Sequence, residues 1–436
     1  IASGAAAILA PAGTQPEPEW QRAGVPLVTD DNPRRRLALL AARLYGRQPR
    51  IVAAVTGTNG KTSTAVFTRQ IWSQLGEHAA SLGTIGLVAD GKTRKPTLTT
   101  PDPVALHADL ADLADQGITH LAFEASSHGL AQYRLDGVKI AAAAFTNLTR
   151  DHFDYHRTLE AYRAAKLRLF DTLLPAGKPA VVNADAQDFA PFAEAARARG
   201  CPVIDFGRNG REIRLVKAAP TETGRRIEIK AFGKTHKLVL PLAGAFQTAN
   251  ALCALGLAVG SGAPADGAVA ALSCLEGVPG RMQLAAHTPA GAPVYVDYAH
   301  TPDALANVLN ALRPHTKGRL AVVFGCGGDR DPGKRPLMGR IADGLADDIY
   351  VTDDNPRSEN PAAIRAAVMA ACPRAKEVGD RAEAIRIAAA ALGRRDALVI
   401  AGKGHESGQI VGDVVRPFDD VEVARAAVAA LAGESR

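Results

Sequence analysis

The sequence predicts an α/β protein built on two mainly parallel sheets, and three observations carry that reading. Residues 51–55 form a continuous apolar run rich in β-branched side chains, as a strand buried on both faces requires. Short apolar runs then alternate with helical patterns, the βαβ texture of a parallel sheet. After Gly280-Arg281-Met282-Gln283 the texture starts again, so a second α/β unit follows the first.

In chain order, 27–29 is a short strand ending in the turn-forming Asp30-Asp31-Asn32-Pro33, 37–45 is a helix and 46–49 is a linker. The strand 51–55 leads through a Gly-rich turn into a helix that can start at Thr62. Further strands are expected at 121–123, 141–145 and 179–182, between helical patterns such as 103–116 and 158–170. From about 201 to 240 the alternating pattern, notably 226–231 and 237–240, predicts an antiparallel addition. Residues 247–259 read as an uncharged, buried helix. Strands of the second unit are expected at 294–297, 320–324, 348–351 and 397–400, each followed by a helix, with the boundary near residue 284.

Composition narrows the function classes. A chain of 436 residues has room for about three domains at roughly 150 residues each. Its 47% hydrophobic and 22% charged residues exclude wholesale disorder, collagen-like and coiled-coil architectures, and 5% aromatics argue against a base-stacking surface. Lys and Arg exceed Asp and Glu by six, with no block of five or six like charges. Small acidic ligands such as nucleotides explain that excess more economically than nucleic acid. The five cysteines are widely spaced and form no CxxC pair, so they read as reduced core residues of a cytoplasmic protein, with neither disulfide framework nor zinc site.

Two stretches imitate membrane signals. Residues 238–265 carry no charge, but Pro241, Gln247, Thr248 and Asn250 interrupt an Ala-rich run, which suits a buried helix. Residues 1–12 lack a basic segment before them and no initiator Met begins the chain, so a trimmed start is expected rather than a secretory leader.

Gly57-Thr58-Asn59-Gly60-Lys61-Thr62 follows the first buried strand and opens a helix. Glycines let backbone N–H groups turn inward, the helix N-terminus favours negative charge, Lys61 reaches terminal phosphates and the Thr62 hydroxyl suits Mg²⁺. The spacing departs from the usual GxxxxGK[ST], and an ordinary strand-to-helix turn is the competing reading. Glu124 ends an apolar strand, where open α/β sheets place their chemistry, although a surface Glu before a capping Ser would look the same. His152 lies in a segment that packs two His and two Asp into six residues, which suits either a metal ligand or turn chemistry. Lys166 falls beside Tyr162 and Phe170 on a helix face, where a lysine ordinarily snorkels to water.

Thr56-Gly57-Thr58-Asn59-Gly60-Lys61-Thr62-Ser63-Thr64 resembles the ATP loop of the Mur ligases and of their relative folylpolyglutamate synthase, which form amide bonds through an acyl phosphate. The likeness recurs over nearly the whole chain. It implies a three-domain architecture: residues 1–47 as the end of a UDP-binding N-terminal domain, 48–283 as the ATP-binding domain and 284–436 as the amino-acid-binding domain. It implies that Gly57, Thr58, Asn59, Gly60, Lys61, Thr62 and Ser63 hold ATP, with Asn250, Arg281, Asp297 and His300 at the nucleotide base. Thr62, Glu124, His152 and Lys166 would hold Mg²⁺, Lys166 as a carbamate, because an ammonium cannot ligate a cation whereas a carbamate offers anionic oxygens. Lys61, Lys166, His152 and Glu124 would then be the catalytic set.

Leu98-Thr99-Thr100-Pro101 and the run from Ser126 to Arg134 resemble segments that bind UDP-N-acetylmuramoyl-L-alanyl-D-glutamate in one branch of the family. Thr99, Thr100, Ser126, Gln132 and Arg134 are the positions carried over. Gly325-Cys326-Gly327-Gly328-Asp329-Arg330-Asp331-Pro332 and Gly402-Lys403-Gly404-His405-Glu406 belong to the same branch by resemblance. Asp354-Asn355-Pro356-Arg357 is the family's marker for meso-diaminopimelate as the added amino acid. A guanidinium is a bidentate, permanently charged partner for the carboxylate that diaminopimelate has and lysine lacks. Arg330, Asp354, Asn355, Pro356, Arg357, Gly402 and Glu406 would form that pocket, with Glu406 facing the distant ammonium. The expected protein is a cytoplasmic monomer with small-molecule partners and no nucleic acid or inserted membrane segment. The seven residues Val-Thr-Asp-Asp-Asn-Pro-Arg occur twice, at 28–34 and 351–357. Only the second copy follows the Gly-rich segment of the second unit, so recognition is assigned there and the first copy is read as a strand-to-helix turn.

Overall fold

The computed structural model describes residues 4–94, 98–221 and 224–434. Among these, the larger sheet has eleven strands. Seven lie side by side and parallel in the order Ile213–Pro220, Val203–Gly207, Ala180–Asn183, Ala142–Phe145, Ile51–Thr56, His120–Glu124 and Ala79–Gly83. Both faces are covered. Ala53 and Val55 pack with Phe67 and Ile71 of the helix Lys61–Gln74 and with Leu252 and Leu255 of the helix Ala245–Gly260. Val52 and Ala54 face the other way, towards Leu106 and Leu110 of the helix Pro103–Asp115. A strand buried on both sides has no polar alternation, which is why 51–55 reads as one apolar run.

Beyond Ile213–Pro220, the strands Arg225–Ala231 and Lys234–Leu240 extend one edge as the expected antiparallel addition. The parallel run reaches further than the sequence suggests, because Val203–Gly207 pairs parallel with both Ala180–Asn183 and Ile213–Pro220. At the other edge Gly86–Ala89 and Lys92–Arg94 turn back on Ala79–Gly83. None of these three strands is anticipated, although Asp90-Gly91, with Asp90 at φ 47°, is a hairpin signal. The second sheet orders Gln283–His287, Pro293–Asp297, Ala397–Ala401, Leu320–Phe324, Asp348–Val351 and Lys376–Glu377, antiparallel only at its first pair. Ala397–Ala401 departs from the expected strand-then-helix rule: a hairpin, Gly408–Val411 with Val414–Pro417, comes next.

Ahead of the large sheet, Ile8–Pro11 pairs parallel with Leu27–Asp30. The helix that follows is Pro33–Tyr45, beginning before the expected Leu37. Asn32 Oδ1 accepts from Arg35 N at 3.0 Å and Pro33 takes the first helical position, a cap-and-proline start hidden inside what looks like a turn. Arg35 ties this helix to the middle of the chain through Asp136 at 3.0 Å, and Arg168 reaches the same buried carboxylate at 3.2 Å. The helix after the phosphate loop starts at Lys61 rather than Thr62. Four cysteines are buried, whereas Cys274 is exposed and so is no core residue. Among the described residues no helix is long and apolar enough to cross a membrane.

The last helix, Asp420–Glu434, is fastened by a fully buried ion pair. Arg381 Nε and Nη2 donate to the two Asp420 oxygens at 2.8 and 2.7 Å, and Nη2 also reaches Ala401 O at 3.0 Å. Removing one partner strands a buried charge, which costs about 3–5 kcal/mol. Asp420→Ala should therefore lower the unfolding free energy of the second unit by about that amount, read by chemical denaturation.

Candidate active site

Three adjacent parallel strands deliver the site. Ile51–Thr56, His120–Glu124 and Ala142–Phe145 end side by side, so the loops that leave them meet at one edge, as expected for the carboxyl ends of an open parallel sheet. They form one wall of a cleft of ≈ 530 Å³, whose opposite wall comes from Arg281, Asp297 to Thr301 and the helix Pro302–Leu312.

The phosphate loop is shaped by close approaches. Gly57 has φ 148°, and a Cβ there would lie 1.9 Å from Thr146 Oγ1; Gly60 has φ 87°, and its Cβ would meet Asn250 Oδ1 at 2.3 Å. No side chain fits either place. Asn59 is held by Asn147, whose Oδ1 accepts its N–H at 2.9 Å and whose Nδ2 donates to its carbonyl at 3.1 Å. The Asn59 amide then donates to Asp303 Oδ2 at 3.1 Å, and Thr149 Oγ1 donates to the same oxygen at 3.3 Å, so the two units touch at the loop.

Two lysines converge on Gly57 O. Lys61 Nζ donates to it at 2.9 Å and to Thr58 O at 2.8 Å, and Lys166 Nζ donates to it at 2.7 Å. Lys166 does not snorkel. It is 1% exposed, and its Nζ lies 4.4 Å from the centre of the Tyr162 ring. Burial, and then the charge of Lys61, hold the Lys166 amine well below the usual lysine range, with Asp151 opposing. Burial also lowers Lys61, against the pull of Glu124 and Asp151.

Glu124 is buried, with Oε1 accepting from Thr84 N at 2.7 Å and Oε2 from Thr84 Oγ1 at 3.2 Å. Gly83 makes the room, since a Cβ there would stand 2.1 Å from Oε1. His152, in a left-handed conformation at φ 55°, keeps a partly open ring 4.9 Å from that of His128. Desolvation between the cleft walls lowers its pKa to about 4, Lys61, His128 and Lys166 adding and Asp151 opposing. The ring is therefore neutral near pH 7 and has a lone pair to offer.

Among the described residues, no three His, Cys, Asp or Glu side chains gather that could hold a metal alone. Mg²⁺ asks for less: it keeps several waters and takes one or two carboxylates plus phosphate oxygens. Glu124 and the Thr62 hydroxyl, both lining the cleft, fit that pattern of hard oxygen donors.

Every predicted ATP-loop residue from Thr58 to Ser63 lines the cleft, as do Thr99, Thr100, Glu124, Ser126, Arg134, His152, Lys166, Asn250, Arg281, Asp297 and His300. Gln132 does not. It holds Arg134 through Oε1 at 2.6 and 3.1 Å, while Arg134 Nη1 reaches Thr100 O at 2.7 Å. Asn250 faces Gly60 and donates to Gln247 Oε1 at 3.0 Å, so it abuts the phosphate loop. Asp297 accepts from Met282 N at 2.7 Å and Ala299 N at 2.8 Å, and burial raises its pKa to about 6. Both oxygens thus anchor backbone.

The seven predicted amino-acid residues lie outside the cleft, in a second cluster behind Tyr298. The Tyr298 ring is 5.2 Å from that of His405, and the Arg281 guanidinium lies 4.5 Å from the centre of the Tyr298 ring. In this cluster Asn355 Nδ2 donates to Glu406 Oε2 at 2.9 Å and Arg357 Nη1 to Gly328 O at 2.8 Å. A Cβ at Gly402 would lie 2.6 Å from Asp354 Oδ2. Gly327 keeps space beside Arg357 Nη1, 2.9 Å from where its Cβ would be, and Arg330 Cγ, 3.8 Å away. Glu406 is not a free carboxylate: Lys403 Nζ donates to it at 3.1 Å. The residues that sequence reasoning passes over are supports, Thr84 behind Glu124, Asn147 behind the loop, Asp151, Asp303 and Lys403. Of these only Asp151 stood in a segment with an evident polar cluster.

Residues 55–258 match the model of the Mur ligase middle domain and residues 280–404 that of the Mur ligase glutamate ligase domain. A UDP-N-acetylmuramoyl-L-alanyl-D-glutamate–2,6-diaminopimelate ligase from Mesorhizobium japonicum is 57% identical over 93% of this chain and 84% of its own length. The chain belongs to the Mur ligase family. A solved structure bearing the same ligase name superposes with a TM-score of 0.68 at 36% identity, covering 93% of this chain and 84% of that one. Folylpolyglutamate synthase from Mycobacterium tuberculosis, complexed with ADP, gives a TM-score of 0.71 at 18% identity over 91% and 94% of the two chains. Fold likeness alone therefore does not separate these Mur ligase relatives, and the side chains must.

Gly60→Ala should raise the KM for ATP about tenfold or more, because its φ and the Asn250 contact both oppose a Cβ. Removing the obstacle as well, in Gly60→Ala with Asn250→Ala, should give a loss smaller than the sum of the two single losses, measured by nucleotide titration.

Proposed function

We infer that this chain is the ATP-dependent, ADP-forming ligase that joins meso-2,6-diaminopimelate to UDP-N-acetylmuramoyl-L-alanyl-D-glutamate in peptidoglycan precursor synthesis. The observation that carries the amino-acid assignment is the setting of Arg357. It stands in the second unit with Nη1 on the carbonyl oxygens of Gly328 and Asn355, while Arg34, in the same heptapeptide, follows Pro33 as an exposed residue in the first turn of a helix. A guanidinium among carbonyl oxygens is suited to a substrate carboxylate.

In this reading a glutamyl carboxylate oxygen attacks the γ-phosphorus of ATP, the bond to the β-phosphate oxygen breaks and ADP leaves. The amine of diaminopimelate then attacks the acyl carbon and phosphate departs. The loop N–H groups from Gly60 to Thr62 and the Lys61 ammonium compensate the phosphate charge. Glu124 and Thr62 would hold Mg²⁺, with His152 and Lys166 at a second position, and the ion supplies further charge compensation when bound. The depressed Lys166 amine supports a carbamate there, because only the neutral amine attacks carbon dioxide and a buried lysine loses its proton readily. Thr99, Thr100, Ser126 and Arg134 would face the UDP-linked substrate, with Gln132 orienting Arg134. Asn250, Arg281, Asp297 and His300 frame the nucleotide side. We place residues 1–47, 48–283 and 284–436 as three units of a cytoplasmic monomer that works on diffusible nucleotide-linked substrates.

Supplied separately with meso-diaminopimelate and L-lysine, the enzyme should yield product of the mass expected for the first. Lys166→Ala should lower turnover at least about 100-fold with the fold intact by circular dichroism; near-normal turnover removes the carbamate. Arg357→Lys should cut kcat/KM for diaminopimelate about tenfold or more, whereas Arg34→Ala should leave it unchanged.

A further inference from the structure

Lys403 has no part in the reaction as derived, yet its side chain is wholly shielded from solvent. Its Nζ closes a triangle, donating to Asn355 Oδ1 at 2.9 Å and Glu406 Oε2 at 3.1 Å, while Asn355 Nδ2 donates to the same Glu406 oxygen at 2.9 Å. A buried ammonium persists where its protons are accepted and its charge is compensated. Glu406 supplies that compensation. Its own charge is balanced in turn from inside the protein, and Oε1 remains to meet an incoming ammonium.

Arg357 is the opposite case. Its Nη1 donates to the carbonyl oxygens of Gly328 at 2.8 Å and Asn355 at 3.4 Å, and among the described residues it makes no ion pair. Asn355 thus links the two cations, its carbonyl on Arg357 and its amide oxygen on Lys403. Glu406 is thus paired from within the protein, while Arg357, which Asp329 reaches only by longer-range attraction, has no carboxylate bonded to its guanidinium. Such a pocket favours an amino acid whose far end bears a carboxylate as well as an ammonium, and disfavours one whose far end is only cationic.

Resting on the amino-acid pocket inferred above, we propose that Lys403 is a specificity-determining residue. By holding Glu406 in a pair it keeps that carboxylate's charge from Arg357, leaves the guanidinium open to a substrate carboxylate and so selects diaminopimelate over lysine. It touches neither substrate carboxylate nor reacting atoms and acts through Glu406 and Asn355. A lysine that merely buttressed the loop would, when lost, weaken both amino acids alike, so the ratio of the two is the informative quantity.

The experiment measures kcat/KM for meso-diaminopimelate and for L-lysine, with product mass, in the parent, Lys403→Met and Lys403→Arg enzymes. In Lys403→Met the diaminopimelate-to-lysine ratio should fall at least about tenfold, mainly through KM for diaminopimelate, with KM for ATP within about twofold of the parent. Lys403→Arg, which keeps the charge, should hold the ratio within about threefold. An unchanged ratio in a Lys403→Met enzyme with parental KM for ATP overturns the proposal. If that variant does not fold, Glu406→Gln carries the test: it leaves Lys403 uncompensated and should raise the ratio, and no rise overturns it. A parent enzyme that rejects diaminopimelate sinks the pocket assignment itself, whereas a selective parent with an unaltered ratio in Lys403→Met sinks only the role of Lys403.

Discussion

Two lysine amines share one carbonyl oxygen, and much of the molecule follows from making that possible. Gly57 O accepts from Lys61 and Lys166 at 2.9 and 2.7 Å. The loop must therefore turn its carbonyl into the cleft, which a residue at φ 148° with Thr146 against its α-carbon permits only as glycine. Lys61 must open a helix, and the helix Leu159–Arg168 must lay Lys166 against the loop from below, with the Tyr162 ring beneath its Nζ. Like charges this close in a poorly solvated place repel strongly, so the arrangement is at ease only when anions arrive or one amine gives up its proton. An apolar sheet holds this uneasy pair in place, and its reactivity follows from the same strain in charge.

The fold could be read wherever one local rule governed a whole element. The buried strands of both units are apolar runs because both their faces are covered, and the uncharged helix Ala245–Gly260 has no polar side because it is buried along nearly its whole length. Reading failed where two rules competed for the same residues. Asp30-Asp31-Asn32-Pro33 has turn chemistry, yet Asn32 caps a helix and Pro33 begins it. Residues 79–94 are Gly-rich and short-stranded, so their pairing is decided by the neighbouring strand His120–Glu124 rather than by their own pattern.

The site shows the same division. Glycines, Lys61 and Glu124 announce themselves because phosphate chemistry demands those types at the ends of strands, while a buried Lys166 looks like any amphipathic lysine until its surroundings are known. The duplicated heptapeptide is the clearest instance. Asn32 accepts one backbone N–H at a helix start, whereas Asn355 is enclosed by Lys403, Glu406 and Ile410 N. The residue after each proline diverges too: Arg34 is helical, while Arg357 sits at φ 52° with its N–H on Ile410 O. Seven identical residues thus take two structures because distant segments, not neighbours, supply the partners.

Asp303 belongs to the second unit, yet its carboxylate is bonded to Asn59 and Thr149 of the first. The linkage is reciprocal by thermodynamic necessity: whatever steadies the loop steadies the docking of the helix Pro302–Leu312, and whatever draws that helix away loosens the loop. The phosphate loop is therefore also a joint. For a chemistry whose intermediate is destroyed by water, a joint placed at the site of its formation means that the vessel's lid and its heat source are the same few atoms.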